Sequence, residues 1–153
     1  MNAMKSSAYD QQGAMLLEAL IAILIFSMGI LAIIGLQAAS VRLSGDAKYR
    51  TDANMLANKV IGQMWVDNRT PAQLTAKYVS ASGVGYAAWA SEVQAVLPGI
   101  AGQAANQPTI QIALPPVTNP NAPTSLVTVT VFWNLPGEAP ANRHSAIVIA
   151  QIR

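Results

Sequence analysis

The residues whose types and spacing suggest chemistry lie close together near the start of the chain. Gly13 is followed by four mostly apolar residues and then by Glu18, after which the apolar run resumes. A carboxylate near the centre of a membrane helix costs roughly 2.5 kcal/mol or more, so such a residue usually has a partner. If the chain were cut after Gly13, the new α-ammonium on Ala14 would be a partner of that kind. Among parallel helices, the Ala14 terminus of one chain could neutralise Glu18 of its neighbour and fix their axial register.

Two glycines interrupt the apolar run that follows. Gly29 and Gly35 each cost a helix about 1 kcal/mol relative to alanine in water. Small residues let neighbouring membrane helices approach closely, which would give both glycines a role in helix packing. Glycine is also common in membrane helices in general, and this second interpretation stays open.

The rest of the chain offers little for catalysis. His144 is the single histidine, so a Ser-His-Asp site would have to use it, and Ser145 beside it would be poorly placed on an extended strand. We therefore interpret His144 as a surface or edge-strand residue. The chain has no cysteine, which rules out a disulfide framework and a thiolate metal site. The sequence predicts no enzyme, no metal ion and no cofactor.

Composition points to a membrane segment. The chain has 153 residues, a single-domain length, yet only 10% are charged and the mean hydropathy is +0.34. The segment 14–36 has only Glu18 and Ser27 as clearly polar residues. As a helix it would span about 35 Å, enough to cross a bilayer core of roughly 30 Å. The net charge of +2 comes from scattered basic residues, so nucleic acid is not predicted as a partner.

The chain divides into four predicted segments. Residues 1–13 form a polar leader that is disordered or removable. Residues 14–36 form the membrane-spanning half of a long helix, and residues 37–67 form its amphipathic half. The helix stops before Pro71, because the ring of a proline disfavours helical geometry in the residue before it. Residues 68–153 form a C-terminal domain.

Helical spacing in the amphipathic half predicts the face that packs on this domain. The apolar residues that recur there are Ala53, Leu56, Ala57, Val60, Ile61 and Met64. Trp65 follows the same pattern, so we expect its side chain in the core.

The C-terminal domain is predicted to contain two short helices, at 72–77 and 86–97, followed by strands. Alternating apolar residues indicate three strands: Thr109–Leu114, Leu126–Asn134 and Ser145–Ile152. The connections between them are rich in turn residues: Pro115, Pro116, Pro120 and Pro123 in the first, and Pro136, Gly137 and Pro140 in the second. Links of this length predict an antiparallel meander of about three or four strands and hence an α+β fold.

The start of the chain resembles the type IV pilin family. In that family a leader peptidase cuts after a glycine, the new first residue is N-methylated, and the fifth mature residue is a glutamate. Gly13, Ala14 and Glu18 match these positions, and the apolar run matches in length and place. The resemblance implies cleavage between Gly13 and Ala14, methylation of Ala14, a register salt bridge at Glu18 and a pilin-like fold. Alanine replaces the phenylalanine that is commonest in major pilins, and small first residues occur in minor pilins.

The apolar helix and the residues after it are similar to PilV-type minor pilins. The likeness lies in Leu17–Leu31, Gly35–Gln37, Tyr49–Arg50, Asp52–Ala53 and Leu56–Asn58. It implies a structural subunit that joins a minor-pilin complex, primes pilus assembly and lies at or near the pilus tip. The implied partners are other minor pilins, the major pilin, and the prepilin peptidase and methylase, with contact to a tip adhesin left open. Before assembly, the chain would cross the bacterial inner membrane once with its C-terminal domain in the periplasm; after assembly, it would be extracellular.

Other classes of protein share parts of this pattern. A type II secretion pseudopilin would share every N-terminal feature and differ in the machine it serves. A single-pass membrane-anchored binding domain would keep its leader. A soluble secreted protein would be cut near Ala38 or Ala39, but the apolar run exceeds the usual signal-peptide core of about 7 to 15 residues.

The charges that flank the apolar run suggest the opposite orientation. Arg42, Lys48 and Arg50 follow the run, whereas Lys5 is the one basic residue before it. The positive-inside rule would place the C-terminal domain in the cytoplasm. The resemblance implies a periplasmic domain, because the leader peptidase of the family acts on the cytoplasmic side.

Overall fold

The chain folds as an α+β protein in the residues that this computed structural model describes, 11–114 and 124–153. The helices are α1 (Gln11–Val66), α2 (Pro71–Tyr78) and α3 (Val84–Val96), and the strands are β1 (Thr109–Ala113), β2 (Ser125–Trp133) and β3 (His144–Ile152). Two 3-10 turns, Ala104–Asn106 and Pro140–Asn142, precede β1 and β3. The predicted fold class, a long N-terminal helix with a small antiparallel sheet, is confirmed.

Helix α1 begins earlier than the sequence predicts. Its first residue is Gln11, three positions before Ala14, because the two glutamines there are good helix formers. It ends at Val66, as the stop signal before Pro71 predicts. Residues 1–10 of the predicted leader, which spans 1–13, and the turn-rich connection at 115–123 lie outside the described residues. The chain divides into two compact units, Met1–Leu43 and Ser44–Arg153.

The core of the second unit forms between α1 and the sheet. The predicted stripe of α1, from Ala53 to Met64, is confirmed, since all six of its residues are at most 7% exposed. Alternate residues of β2 complete the core from the other side: Ser125, Val127, Val129, Val131 and Trp133 are buried. Helix α3 is held to α1 by the indole of Trp89, which donates a hydrogen bond to the carbonyl oxygen of Leu56 at 2.9 Å.

The sheet is a three-stranded antiparallel meander in the order β1-β2-β3. Its register places Val129 opposite Ile110 on one side and opposite Val148 on the other. Side chains alternate between the two faces of a strand, so this register directs one set of residues to α1 and leaves the other set on the outer face. The observed strands differ from the predicted ones by one residue at their ends.

A buried pair of asparagines organises the connection between β2 and β3. The amide of Asn106, 2% exposed, donates to the carbonyl oxygen of Gly99 at 2.8 Å and to Oδ1 of Asn134 at 2.6 Å. Asn134 in turn donates to the carbonyl oxygen of Ala139 at 3.2 Å. Gly99 has φ +78°, and a Cβ there would lie 2.7 Å from Cβ of Asn134. This position therefore requires glycine, both for its backbone conformation and for close approach.

The expectation that Trp65 lies in the core is wrong. Its side chain is 43% exposed. Trp65 lies one turn beyond Ile61, at the margin of the buried stripe, and α1 ends at the next residue. The other two tryptophans, Trp89 and Trp133, are buried at 2% exposure.

The turn between α1 and α2 is closed by a carboxylate. Asp67 accepts hydrogen bonds from the Lys77 ammonium, from the Tyr78 hydroxyl at 2.9 Å and from the Asn68 amide at 2.8 Å. The hydrogen bond from Lys77, followed by those from Asn68 and Tyr78, lowers the pKa of Asp67 to about 2. Because these bonds join the end of α1 to the end of α2, the ionised carboxylate holds the two helices in place.

We expect Asp67→Asn to lower stability at neutral pH and to remove part of its acid dependence. A carboxyl whose pKa is about 2 when folded and about 3.9 when unfolded stabilises the fold above pH 4, and this contribution is lost as pH falls towards 2. The thermal unfolding midpoint of the detergent-solubilised protein, measured from pH 7 to pH 2, should therefore differ between wild type and variant at pH 7 and converge near pH 2.

A matched control is Asp52→Asn. Asp52 lies on α1 and makes no hydrogen bond or ion pair within the parts of the chain that are described. Its replacement should shift the midpoint little at any pH. A midpoint difference for Asp67→Asn that stays constant down to pH 2 would contradict the role of the ionised carboxylate.

Candidate functional site

The bond predicted to be cleaved lies inside the first helix. Gly13 and Ala14 are the third and fourth residues of α1, and both are exposed. A Cβ built on Gly13 would meet no atom within 4 Å among the described residues. No side chain of the described chain therefore shields this bond.

Glu18 is an exposed carboxylate in an apolar environment. It is the one charged residue of the sequence between Asp10 and Arg42. The nearby apolar side chains of Leu17 and Leu20 are 62% and 61% exposed. Within residues 13–114 and 124–153, no hydrogen bond or ion pair to Glu18 is present. In lipid, such a carboxylate requires a partner from outside the described chain.

The geometry of α1 places Glu18 on the same face as Ala14. Four residues correspond to about 6 Å along the helix axis and roughly 40° around it. Side chains of a helix lean towards its N-terminus, so the Glu18 carboxylate leans towards Ala14. A new α-ammonium at position 14 would thus lie on the side of α1 that carries the carboxylate.

The two glycines of the apolar run lie on different faces of α1. Gly29 is eleven residues after Glu18 and lies about 20° from it around the helix, whereas Gly35 lies about 100° away. Among the described residues, a Cβ built on either glycine would meet no neighbouring atom within 4 Å. Gly29 therefore lies on the Glu18 face together with Ala22 and Ile25, and Gly35 does not.

This part of α1 is long and apolar enough to cross a membrane. An 18-residue window within the helix has a mean hydropathy of 2.8, and none of it is buried inside the protein. Its exposed side chains include large apolar ones such as Phe26 at 69% and Leu31 at 68%. Length and composition are compatible with a single-pass membrane anchor.

The second half of α1 carries exposed apolar residues outside its buried stripe. Met55 is 58% exposed, Trp65 43% and Val66 88%. Gly62, which has open space beside it, lies between them at helical spacing. Apolar residues exposed in this way are available for contact with another helix.

His144 takes part in a structural cluster. Its Nε2 lies 3.1 Å from Oε2 of Glu138 and its Nδ1 lies 3.5 Å from Oδ1 of Asp46. Its ring stacks on Trp133 with 5.7 Å between centroids, and the Trp133 indole donates to Asp46 at 3.4 Å. Ser145 is exposed and points to the other face of β3 from His144. The cluster joins α1 to the sheet.

The sequence did not predict the partners of His144. Asp46 is 98 positions away in the chain, and no local pattern links a residue on a helix to the first residue of a late strand. Within the described ranges 11–114 and 124–153, no group of three histidine, aspartate or glutamate side chains is arranged so that it could hold a metal ion. The residues that suggest function therefore remain Gly13, Ala14 and Glu18.

Comparisons with protein-family models, with curated proteins and with solved structures give no match to this chain.

Proposed function

We propose that this chain is a minor type IV pilin, a structural subunit that assembles through α1 and joins a minor-pilin complex that primes the pilus at or near its tip. The observation that supports this most is Glu18. It is the single charged residue of the apolar segment 14–36, it lies five positions after a glycine, and it is exposed and has no partner among the described residues. A group of this kind is stabilised when a neighbouring chain supplies a cation at the same depth.

Cleavage after Gly13 would generate that cation. The α-ammonium of Ala14 would lie on the Glu18 face of each helix, within about one turn of the carboxylate. In a bundle of parallel helices, the terminus of one chain could pair with Glu18 of the next. A pair formed in lipid is stronger than one in water because the dielectric constant is low, and it would set the axial offset between subunits.

The rest of α1 supports assembly through helix packing. Its first half is apolar on every side, and its second half exposes Met55, Trp65 and Val66 away from the core of its own unit. Before assembly, the apolar half would anchor the chain in the inner membrane with the C-terminal domain in the periplasm. The proposed partners are the major pilin, other minor pilins and the prepilin peptidase, which also methylates the new terminus.

The first test is the mass and N-terminal peptide of the cellular protein. We expect the chain to begin with methylated Ala14 in strains that contain the prepilin peptidase and to keep residues 1–13 in strains that lack it. A chain that keeps its leader in both strains would be a membrane-anchored binding domain, and one that begins near Ser40 would be a secreted protein; either result would overturn the proposal.

Deletion separates the pilus from the secretion machine. Loss of twitching motility with intact protein secretion is expected for a pilus subunit. Intact motility with lost secretion would instead identify a type II secretion pseudopilin, which shares the same N-terminal features.

We expect Glu18→Ala to leave membrane insertion intact and to reduce incorporation into filaments, with Glu18→Lys reducing it further through repulsion of the neighbouring terminus. Loss of an ion pair worth about 1.4 kcal/mol would lower incorporation about tenfold. Incorporation is measured as the amount of the protein in sheared filaments relative to the membrane fraction. The control is Ser27→Ala, which removes a hydroxyl that bonds to the carbonyl oxygen of Ile23 in its own helix. Normal incorporation of both Glu18 variants would exclude the register role.

The position of the glycines gives a further prediction. Gly29→Leu should reduce incorporation more than Gly35→Leu, because Gly29 shares the face of Glu18 and a bulky side chain there would hold neighbouring helices apart. Both substitutions add the same volume and apolar area, so each serves as the control for the other. Equal effects of the two would show that the Glu18 face is not the packing face.

A further inference from the structure

The two edges of the sheet differ in how their backbone groups are satisfied. At the β1 edge, Ser80 closes the backbone of Ile110: the Ser80 hydroxyl accepts from the Ile110 amide at 2.6 Å, and the Ile110 carbonyl accepts from the Ser80 amide at 3.3 Å. Among the described residues, the β3 edge has no such cover. Within the described ranges 11–114 and 124–153, no group outside the sheet forms a hydrogen bond with the backbone of β3.

The register shows which groups of β3 face outwards. In an antiparallel sheet, the amide and carbonyl of a residue point to the same side, and successive residues alternate. The backbone groups of Ile110 bind Ser80 and so point away from β2. The backbone groups of Val129, opposite Ile110, therefore point to β3 and exchange hydrogen bonds with Val148. The two neighbours of Val148, and every second residue beyond them, must then direct their backbone groups to the open edge. These residues are Ser145, Ile147, Ile149 and Gln151.

The same residues carry the exposed side chains of β3. Ile147 is 61% exposed and Ile149 is 63% exposed, and both are β-branched. From Ser145 to Ile152 the strand contains no charge, no proline and no glycine. Edge strands usually carry a lysine, a proline or a bulge that prevents pairing, and a long apolar edge without these devices pairs readily with another strand.

We propose that β3 binds an extended segment of a different protein, which adds to the sheet as a fourth strand. The backbone of Ile147 and Ile149 would form the hydrogen bonds, and their side chains would contact β-branched, uncharged residues of the partner. Arg143 and Arg153 flank the strand, and Arg153 is exposed. The partner segment is therefore uncharged at its centre and has a carboxylate at the end that faces Arg153.

The same charges argue against a second copy as the occupant. In an antiparallel pair of β3 strands, the register that matches Ile147 with Ile149 of the other copy also matches Arg143 with Arg153. Arg143 is held at this end of the strand, because its guanidinium lies 4.4 Å from the Phe132 ring centroid and donates to the carbonyl oxygen of Ala105. Like charges placed directly opposite are destabilising, so a partner with acidic ends fits better than the chain itself.

The test uses full-length protein in detergent and a fluorescent nine-residue peptide that begins with two aspartates and continues with alternating threonine and valine. An antiparallel peptide places its acidic start beside Arg153. We expect saturable binding by fluorescence anisotropy, weakened at least about tenfold in the variant Ile147→Lys/Ile149→Lys, since charged side chains protect an edge from pairing. Val84→Lys, at an apolar residue of α3 that is 76% exposed, should bind as wild type does.

A second peptide with the same side chains but N-methylated at alternate residues distinguishes strand pairing from apolar adhesion. It should not bind, because it lacks the amide donors that face the edge. Equal binding of the two peptides, or no saturable binding of either, would overturn the proposal. Tighter binding of a peptide that copies residues 144–153 would make a second copy the occupant and overturn the assignment of a different partner. Because binding is measured on the purified chain, none of these results depends on whether the protein enters a pilus.

Discussion

The second unit depends on one packing contact, between the apolar stripe of α1 and the inner face of β2. A three-stranded sheet cannot cover its own apolar face, and it is stable when a helix packs against it. Val127, Val129 and Val131 on the sheet are each 0% exposed, and burial of such a side chain contributes about 1.5–3 kcal/mol. With no cysteine in the chain, this packing takes the place of covalent cross-links. The part of α1 that lies in the second unit is therefore required for the fold of that unit.

That requirement explains which parts of the fold can be predicted from sequence. The stripe from Ala53 to Met64 follows the helical period, and the β2 residues alternate, so both elements are recognised from local pattern. The prediction that the Trp65 side chain lies in the core is wrong because helical spacing alone does not show where the buried stripe ends. Its position at the margin becomes clear only when the sheet is in place.

Contacts between distant residues were beyond local pattern. The bond between Asn106 and Asn134 joins residues 28 positions apart, and the contact between Asp46 and the Trp133 indole joins residues 87 positions apart. Each depends on how separate elements of the chain are placed beside one another, which local spacing does not specify. The residues of the candidate site, by contrast, could be predicted from local pattern, because Gly13, Ala14 and Glu18 lie within six positions of one another. The structure adds that Ala14 and Glu18 share a face of α1 and that Gly35 lies on a different face.

The exposed edge of β3 shows how charge can select a partner when the backbone cannot. Backbone groups are the same in every strand, so an open edge alone would accept a second copy as well as another protein. When two copies of β3 pair in the antiparallel register that matches Ile147 with Ile149, two favourable Ile147–Ile149 contacts form. The same register places Arg143 opposite Arg153 twice, and these contacts are repulsive. An apolar cross-strand pair contributes roughly 0.2–1 kcal/mol, and two charges 4 Å apart in water repel by about 1 kcal/mol. The apolar attraction and the charge repulsion nearly cancel for a second copy. With a partner that has a carboxylate opposite Arg153, the apolar and the electrostatic contributions are both favourable. The arginines that flank the strand thus favour a different protein over self-association, without any protecting charge within the strand itself.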